Sequence, residues 1–465
     1  MKNLRAFDIT SGPFIITVAG LIIIGLAGFG IGQHGLGYRG IIAGLLALAG
    51  LVLVIAGERG LTTGILLWVW MFVIGFRTIH ITSAFPLHPL EIFISALLLL
   101  ILLKVSVMER RRVVWPIPGL LWVFSIFWIW GWLRGVLDGR HWDVMLSEAL
   151  NFVMFFPVFM VTGHILENRA NWRSLVGAFV SVGTAIALLG LVEYLFPGVR
   201  NLFPGYVAAD TTYIAQGGFV RASYVFWGNP VATFICAFAL PLLIPMWEWW
   251  PQLMARGLLI GSAVILVAGI YIGGFRSLWL LLGVALIVLL YISRGLWGAL
   301  AASFSLGVLY VVLPETGQSR LLLAVSALRG DFQDSSSFDR WQRVVGAAQS
   351  ILSHPEGQGW SAAGWVHNDF LQVAVNLGLI AGVIFLLWYL RTLIGLWRQW
   401  RRQPADSLTL ALFTSFFILG GLFLSQPMIV LPQLALPAWL VWALAEIHLR
   451  QSGPLAAGAV PVADK

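Results

Sequence analysis

His367 stands in the segment GWVHNDFLQVAVNLGLIAG, immediately before a long apolar run that begins near Phe370. Asn368 and Asp369 follow it and are good caps for the helix that such a run predicts. A histidine there feels the positive end of the helix dipole, which disfavours imidazolium and keeps the ring neutral. Neutral imidazole is the form a general base requires; the plainer reading is an interfacial histidine that only helps to cap the helix. Two arginines sit where charge is costly. Arg221 lies in GGFVRASYVFWGNPVATF, close to where a long loop enters a helix starting near Asn229, and Arg276 lies in YIGGFRSLWLLL, between two apolar runs with almost no loop to hold it. An arginine so close to hydrocarbon either snorkels to headgroups or meets an anion. A guanidinium pair is a natural clamp for pyrophosphate, because each fork holds two phosphate oxygens. With one neutral histidine, such a pair would suffice for a displacement at a sugar-phosphate bond.

Other polar residues point to less. Asp331 and Asp334 form a D-x-x-D followed by serines, with no second acidic cluster, and read as a solvated loop rather than a magnesium site. His34, His80, His88 and His141 are scattered singly, without the ligand spacing of zinc. No metal is required by this pattern. Glu193 near a helix end reads as a structural partner, and Cys236 inside an apolar run reads as a small packed hydrophobe that cannot form an intramolecular disulfide.

The elements that must position these residues are transmembrane helices. The chain has 465 residues, 59% hydrophobic and only 10% charged, against about 25% charged in soluble domains. Apolar runs recur that are long enough to cross a hydrocarbon core of about 30 Å, and none alternates like a barrel strand. Backbone hydrogen bonding in lipid then demands helices, and the 23 Trp residues suit aromatic belts at the headgroups. The net charge of +8 is read as arginine held in cytoplasmic loops rather than as a nucleic-acid footprint.

Windowed hydropathy places helices near 13–32, 38–57, 61–76, 88–107, 114–133, 144–166 and 174–196, then near 229–247, 254–272, 276–293, 297–313, 369–396, 408–425 and 428–447. The expected fold is an all-α, polytopic transmembrane helical bundle of about 12 to 14 spans. The start has a basic flank but no clear cleavage site and reads as an uncleaved first helix, with no separate soluble domain. With both termini cytoplasmic, the cytoplasmic connections gather Lys104, Arg110, Arg111, Arg112, Arg169, Arg173, Arg391, Arg398, Arg401 and Arg402, as the positive-inside rule expects. The chain then divides into N-terminal helices (1–196), an extracytoplasmic loop (197–228), helices (229–313), a large extracytoplasmic loop (314–368), C-terminal helices (369–447) and a cytoplasmic tail (448–465). Within the large loop, 338–352 has helical spacing with Trp341, Val344 and Ile351 on one side, and predicts a short amphipathic helix. No internal repeat of the transporter kind is visible.

HNDFLQVAVNLGLIAG resembles the signature of the O-antigen ligase and polymerase family, in which a histidine and an asparagine open a helix that continues to a Gly-Leu-Ile-Gly-like step; here Ala381 stands where the second glycine often does. HPEGQGW resembles the family's His-Pro and Gly-x-Gly run, with His354, Pro355, Gly357 and Gly359. SFDRWQ resembles its Asp-Arg element, Asp339 with Arg340, and RASYVFWGNP its Arg and Asn-Pro element, Arg221 with Asn229 and Pro230. The likeness covers roughly residues 200–400, the first half matching only in hydropathy. It implies a metal-independent, cofactor-free glycosyltransferase of the bacterial inner membrane, of the membrane-embedded C-type architecture, with its site facing the periplasm. The donor would be an undecaprenyl-pyrophosphate-linked glycan, and the acceptor either a lipid A core sugar in a ligase or a second lipid-linked repeat in a polymerase of surface polysaccharide. Carried over, His367 becomes the general base and Arg221 with Arg276 the pyrophosphate clamp, supported by Asn368, Asp369, Asp339, Arg340 and Asn229. Helix count alone would also suit a transporter or a lipid-linked sugar flippase, although such proteins place ionisable residues at mid-membrane depth.

Overall fold

The computed structural model describes residues 61–73, 79–82, 85–87, 89–102, 105, 118–202, 229–332 and 335–452. The expected spans at 13–32 and 38–57 lie outside the described residues. The chain runs through α1 (Leu61–Met71), an antiparallel ladder of β1 (Ile79–Thr82) and β2 (Phe85–Leu87), α2 (Pro89–Leu102), α3 (Pro118–Leu137), α4 (Trp142–Val153), α5 (Phe155–Leu166), α6 (Asn171–Leu195) and a 3-10 turn (Pro197–Leu202). It continues with α7 (Asn229–Ala239), α8 (Leu243–Trp249), α9 (Leu253–Gly273), α10 (Arg276–Val312), α11 (Glu315–Leu328), α12 (Ser335–Ser353), α13 (Asp369–Leu377), α14 (Leu379–Arg402), α15 (Ser407–Ser425) and α16 (Pro432–Ser452). The result is an all-α bundle apart from the short ladder. Among the described residues six helical stretches are long and apolar enough to cross a membrane, or seven if the bent pair α7–α8 is one span.

The run at 144–166 still makes one candidate span (Glu148–Leu166), with a local irregularity at Met154 just before Pro157, which has no N–H for the carbonyl of residue 153. Other expected spans are interrupted. The run at 229–247 bends by 41° around Pro241. Helix α10 would be about 55 Å long if straight, well beyond a bilayer core, and it turns back on itself at Gly295, whose φ is 68°. A Cβ on Gly283 would lie 3.5 Å from a Leu306 methyl, which only a helical hairpin permits. Two helices at 276–293 and 297–313 were expected, and two antiparallel halves are found.

The large correction concerns 369–396, expected as one helix. It breaks at Gly378 into α13 and α14. Gly378 has φ 99° and ψ 159°, a conformation essentially confined to glycine. Helix α13 folds back across the first turns of α14: the Phe370 carbonyl oxygen lies 3.2 Å from a Cβ built on Gly382, and the Phe370 and Phe385 rings are 5.6 Å apart. A straight helix would hold His367 about 18 Å beyond Leu379; the fold brings it back beside those turns.

The HPEGQGW segment makes the break possible. Leu379 N–H donates to the Pro355 carbonyl (2.8 Å), Gln358 N–H to Val375 (2.8 Å) and Gly359 N–H to Asn376 (2.9 Å). Any side chain on Gly378 would meet the Glu356 carbonyl oxygen at 2.8 Å, and any on Gly357 (φ 90°) the Gly378 nitrogen at 2.5 Å. Gly378→Ala is therefore expected to destabilise the protein by about 1–3 kcal/mol from backbone strain alone, with the clash in addition, read as a lower melting temperature of purified protein.

Two smaller corrections follow. The segment 314–368, expected as a loop with one short helix at 338–352, carries two, α11 and α12. The last helix continues to Ser452, past the expected tail boundary at 448. The core is aromatic: Phe124, Phe152, Phe385, Trp439 and Trp442 are fully buried and join α3, α4, α14 and α16, with Trp388 and Trp442 4.3 Å apart. Outside it, apolar side chains such as Trp297, Phe304, Val311 and Leu258 are largely exposed, a surface suited to lipid rather than water.

Candidate functional site

His367 lines a cavity of about 640 Å³ closed by five elements. Helix α10 supplies Arg276 and Ser277, α11 supplies Arg320, α12 supplies the serines 335–337 with Arg340 and Trp341, and the end of α15 supplies Gly421, Leu424 and Ser425. His367 comes from the loop before α13. No carboxylate lies among the described lining residues. Three guanidiniums thus line one cavity, and arginine is a side chain whose fork can hold an anion bidentately. Arg320 is 3% exposed and donates from Nη2 to the Gly274 carbonyl at 2.8 Å, so α11 is fastened to the left-handed turn that ends α9.

The loop carrying His367 is tightly coiled. Gly357, Gly359, Ser361, Gly364 and His367 all have positive φ, 57° at the histidine. Non-glycine residues held there carry strain that recurs at ligand sites. Burial, and then the guanidiniums of Arg340 and Arg343, hold the His367 pKa down to about 4, from the ordinary 6.5. A shift in this direction favours the neutral ring, and its causes are desolvation and two arginines, where the helix dipole was the expected one. Its Nδ1 is buried without a hydrogen-bond partner.

A second layer fixes the loop. Glu148 on α4 is buried and receives Ser361 N–H (2.6 Å), Gln372 Nε2 (2.7 Å) and Asn376 Nδ2 (2.6 Å). Gln372 in turn accepts from Val366 N–H, the residue before His367 (3.1 Å). Arg140 donates to the carbonyls of Gln358 (3.3 Å) and Ser361 (3.4 Å), and Arg343 to that of Trp365 (3.2 Å). One carboxylate thus grips both ends of the segment 361–372.

The expected site residues divide accordingly. His367, Arg276 and Arg340 meet in the cavity. Asn368 caps α13, accepting from Leu371 N–H at 3.1 Å. Asp369 does not cap: it is fully buried, and its carboxylate receives Met428 N–H (2.9 Å) and Ile429 N–H (3.2 Å), fastening α13 to the turn between α15 and α16. Asp339 is exposed and is not part of the lining. Arg221 lies outside the described residues, and Asn229 opens α7 with its side chain outside them as well.

Sequence reasoning missed Arg320, Arg343 and Glu148. Glu148 carried a signal, being an acid at the head of a membrane-length run (Glu148–Leu166), where charge is expensive. Arg320 carried none, being one arginine among many in polar surroundings. No family model matches the chain, and no curated protein matches it.

Proposed function

We propose that the protein is a membrane glycosyltransferase that moves a glycan from undecaprenyl pyrophosphate to a sugar hydroxyl, in the manner of the O-antigen ligases and polymerases its motifs resemble. The observation that carries this reading is one cavity holding a neutral histidine beside three arginines. In the reaction the acceptor hydroxyl gives its proton to the His367 imidazole while its oxygen attacks the anomeric carbon. The bond from that carbon to the pyrophosphate oxygen breaks, and the electron pair leaves with the pyrophosphate. Arg276, Arg320 and Arg340 stabilise the charge that develops there. A single in-line displacement inverts the anomeric centre. The proposed setting is the bacterial inner membrane, with the cavity open to the periplasmic side and both termini in the cytoplasm.

The arginines also couple donor binding to basicity. In the empty site burial does most to depress the histidine pKa, and Arg340 and Arg343 add to it; an arriving pyrophosphate offsets the arginines' share and makes the ring a better base. Because kcat/KM reports the free enzyme and kcat the loaded one, the acid limb of kcat/KM is expected near pH 4 and that of kcat at higher pH. Both fall as pH drops, since protonation removes the base. Coincident limbs, or an acid limb of kcat/KM at the ordinary histidine value, would count against the coupling.

The test of the function itself is product formation by purified protein given undecaprenyl-pyrophosphate glycan, with and without EDTA. A ladder of longer lipid-linked chains identifies a polymerase. Transfer only after a lipid A core acceptor is added identifies a ligase. No transfer to either, with the glycan lipid still bound, favours the flippase or transporter reading.

A further inference from the structure

Phe332 and Trp341 stack with ring centroids 5.9 Å apart and planes at 23°, and Phe338 meets the other ring of the group, Phe332, edge-on at 6.2 Å. Both stacked residues line the cavity that holds His367 and the arginines, and Trp341 nevertheless keeps 51% of its surface open. Between them in sequence, Ser335, Ser336 and Ser337 line the same wall. Aromatic side chains at the head of a membrane protein ordinarily anchor it in the headgroups. This pair turns instead toward a charged cavity and is interleaved with hydroxyls.

We infer that these residues form a subsite for a pyranose ring; the inference rests on the glycan-transfer reading above. The ring of a sugar presents an apolar C–H face, whose hydrogens suit the negative face of an indole. Its edge carries hydroxyls that need both donors and acceptors, and a serine hydroxyl is both. The size agrees: about 640 Å³ lies within the roughly 300–1,000 Å³ that encloses a whole organic ligand, more than a pyrophosphate alone fills. The ring is either the first sugar of the donor or that of the acceptor.

The experiment uses full-length protein in nanodiscs and three probes: bare undecaprenyl pyrophosphate, the same lipid carrying one N-acetylglucosamine, and methyl N-acetyl-β-glucosaminide added over saturating bare lipid. For a donor subsite, Trp341→Ala weakens the sugar-bearing lipid by about 2- to 12-fold, the range of an aromatic stacking contact, and leaves the bare lipid unchanged. For an acceptor subsite, the same loss appears with the methyl glycoside instead. Trp341→Phe keeps a ring face and restores most of the affinity in whichever arm responds. Equal affinities of wild type and Trp341→Ala in both sugar arms overturn the subsite and return the aromatic pair to headgroup anchoring. Failure of the wild type to bind bare lipid sinks the glycan-transfer reading instead.

Discussion

His367→Asn is expected to lower kcat by about 10²- to 10⁴-fold, the share a positioned general base supplies, while donor binding and assembly of the protein persist. Asparagine is the sharper replacement. It tolerates the left-handed backbone that His367 adopts (φ 57°), whereas alanine there adds a strain of about 1–2 kcal/mol and confounds loss of the base with movement of the loop. The arginines stand on α10, α11 and α12, and none is on the segment that carries the histidine. Affinity for undecaprenyl-pyrophosphate glycan is thus expected to survive within a few-fold. Single-turnover transfer measured beside equilibrium binding separates the two effects. Near-normal turnover by His367→Asn would remove the histidine from the base role and leave the cavity as a binding site alone.

Much of this site was legible in the chain because its signals are local. The histidine before an apolar run, the asparagine that caps it and the amphipathic spacing after Phe338 are all read within a few residues, and α12, the Asn368 cap and the place of His367 agree with them. The break at Gly378 was not legible, because a glycine in an apolar run marks only an opportunity. What uses it is a pair of carbonyls, on Pro355 and Glu356, that the fold brings against Leu379 and Gly378. Asp369 misled for a related reason. A carboxylate in a first helical turn is ordinarily a cap, yet here two N–H groups sixty residues downstream compete for it and win. Arg276 stood out as a charge between two apolar runs and does line the cavity, but Arg320 and Arg340 beside it come from helices that hydropathy alone treats as loop.

A residue far in sequence from the site has the second large effect. Glu148 lies 213 residues from Ser361 and 228 from Asn376, yet it joins them. Glu148→Ala would leave three donors, Ser361 N–H, Gln372 Nε2 and Asn376 Nδ2, without their acceptor. At about 1–3 kcal/mol for each buried group left unsatisfied, the loss is of order 3 kcal/mol or more, read as a clear fall in melting temperature. The chemical consequence follows from geometry. Val366, beside the histidine, is held through Gln372, whose other end rests on Glu148, so removing the carboxylate frees the loop at both ends. A misplacement of about 1 Å in a reacting group costs on the order of 10²-fold, and kcat is expected to fall by that much. Donor affinity should hold, because the hydrogen bonds of Glu148 run to Ser361, Gln372 and Asn376 and not to the helices that carry Arg276, Arg320 and Arg340. Glu148→Gln keeps one acceptor oxygen but turns an NH₂ toward groups that are themselves donors, so it should recover part of the stability and less of the turnover. A Glu148→Ala protein with full kcat would show that the strained loop holds His367 in place without this anchor, and the positioning role would pass to Arg140 and Arg343.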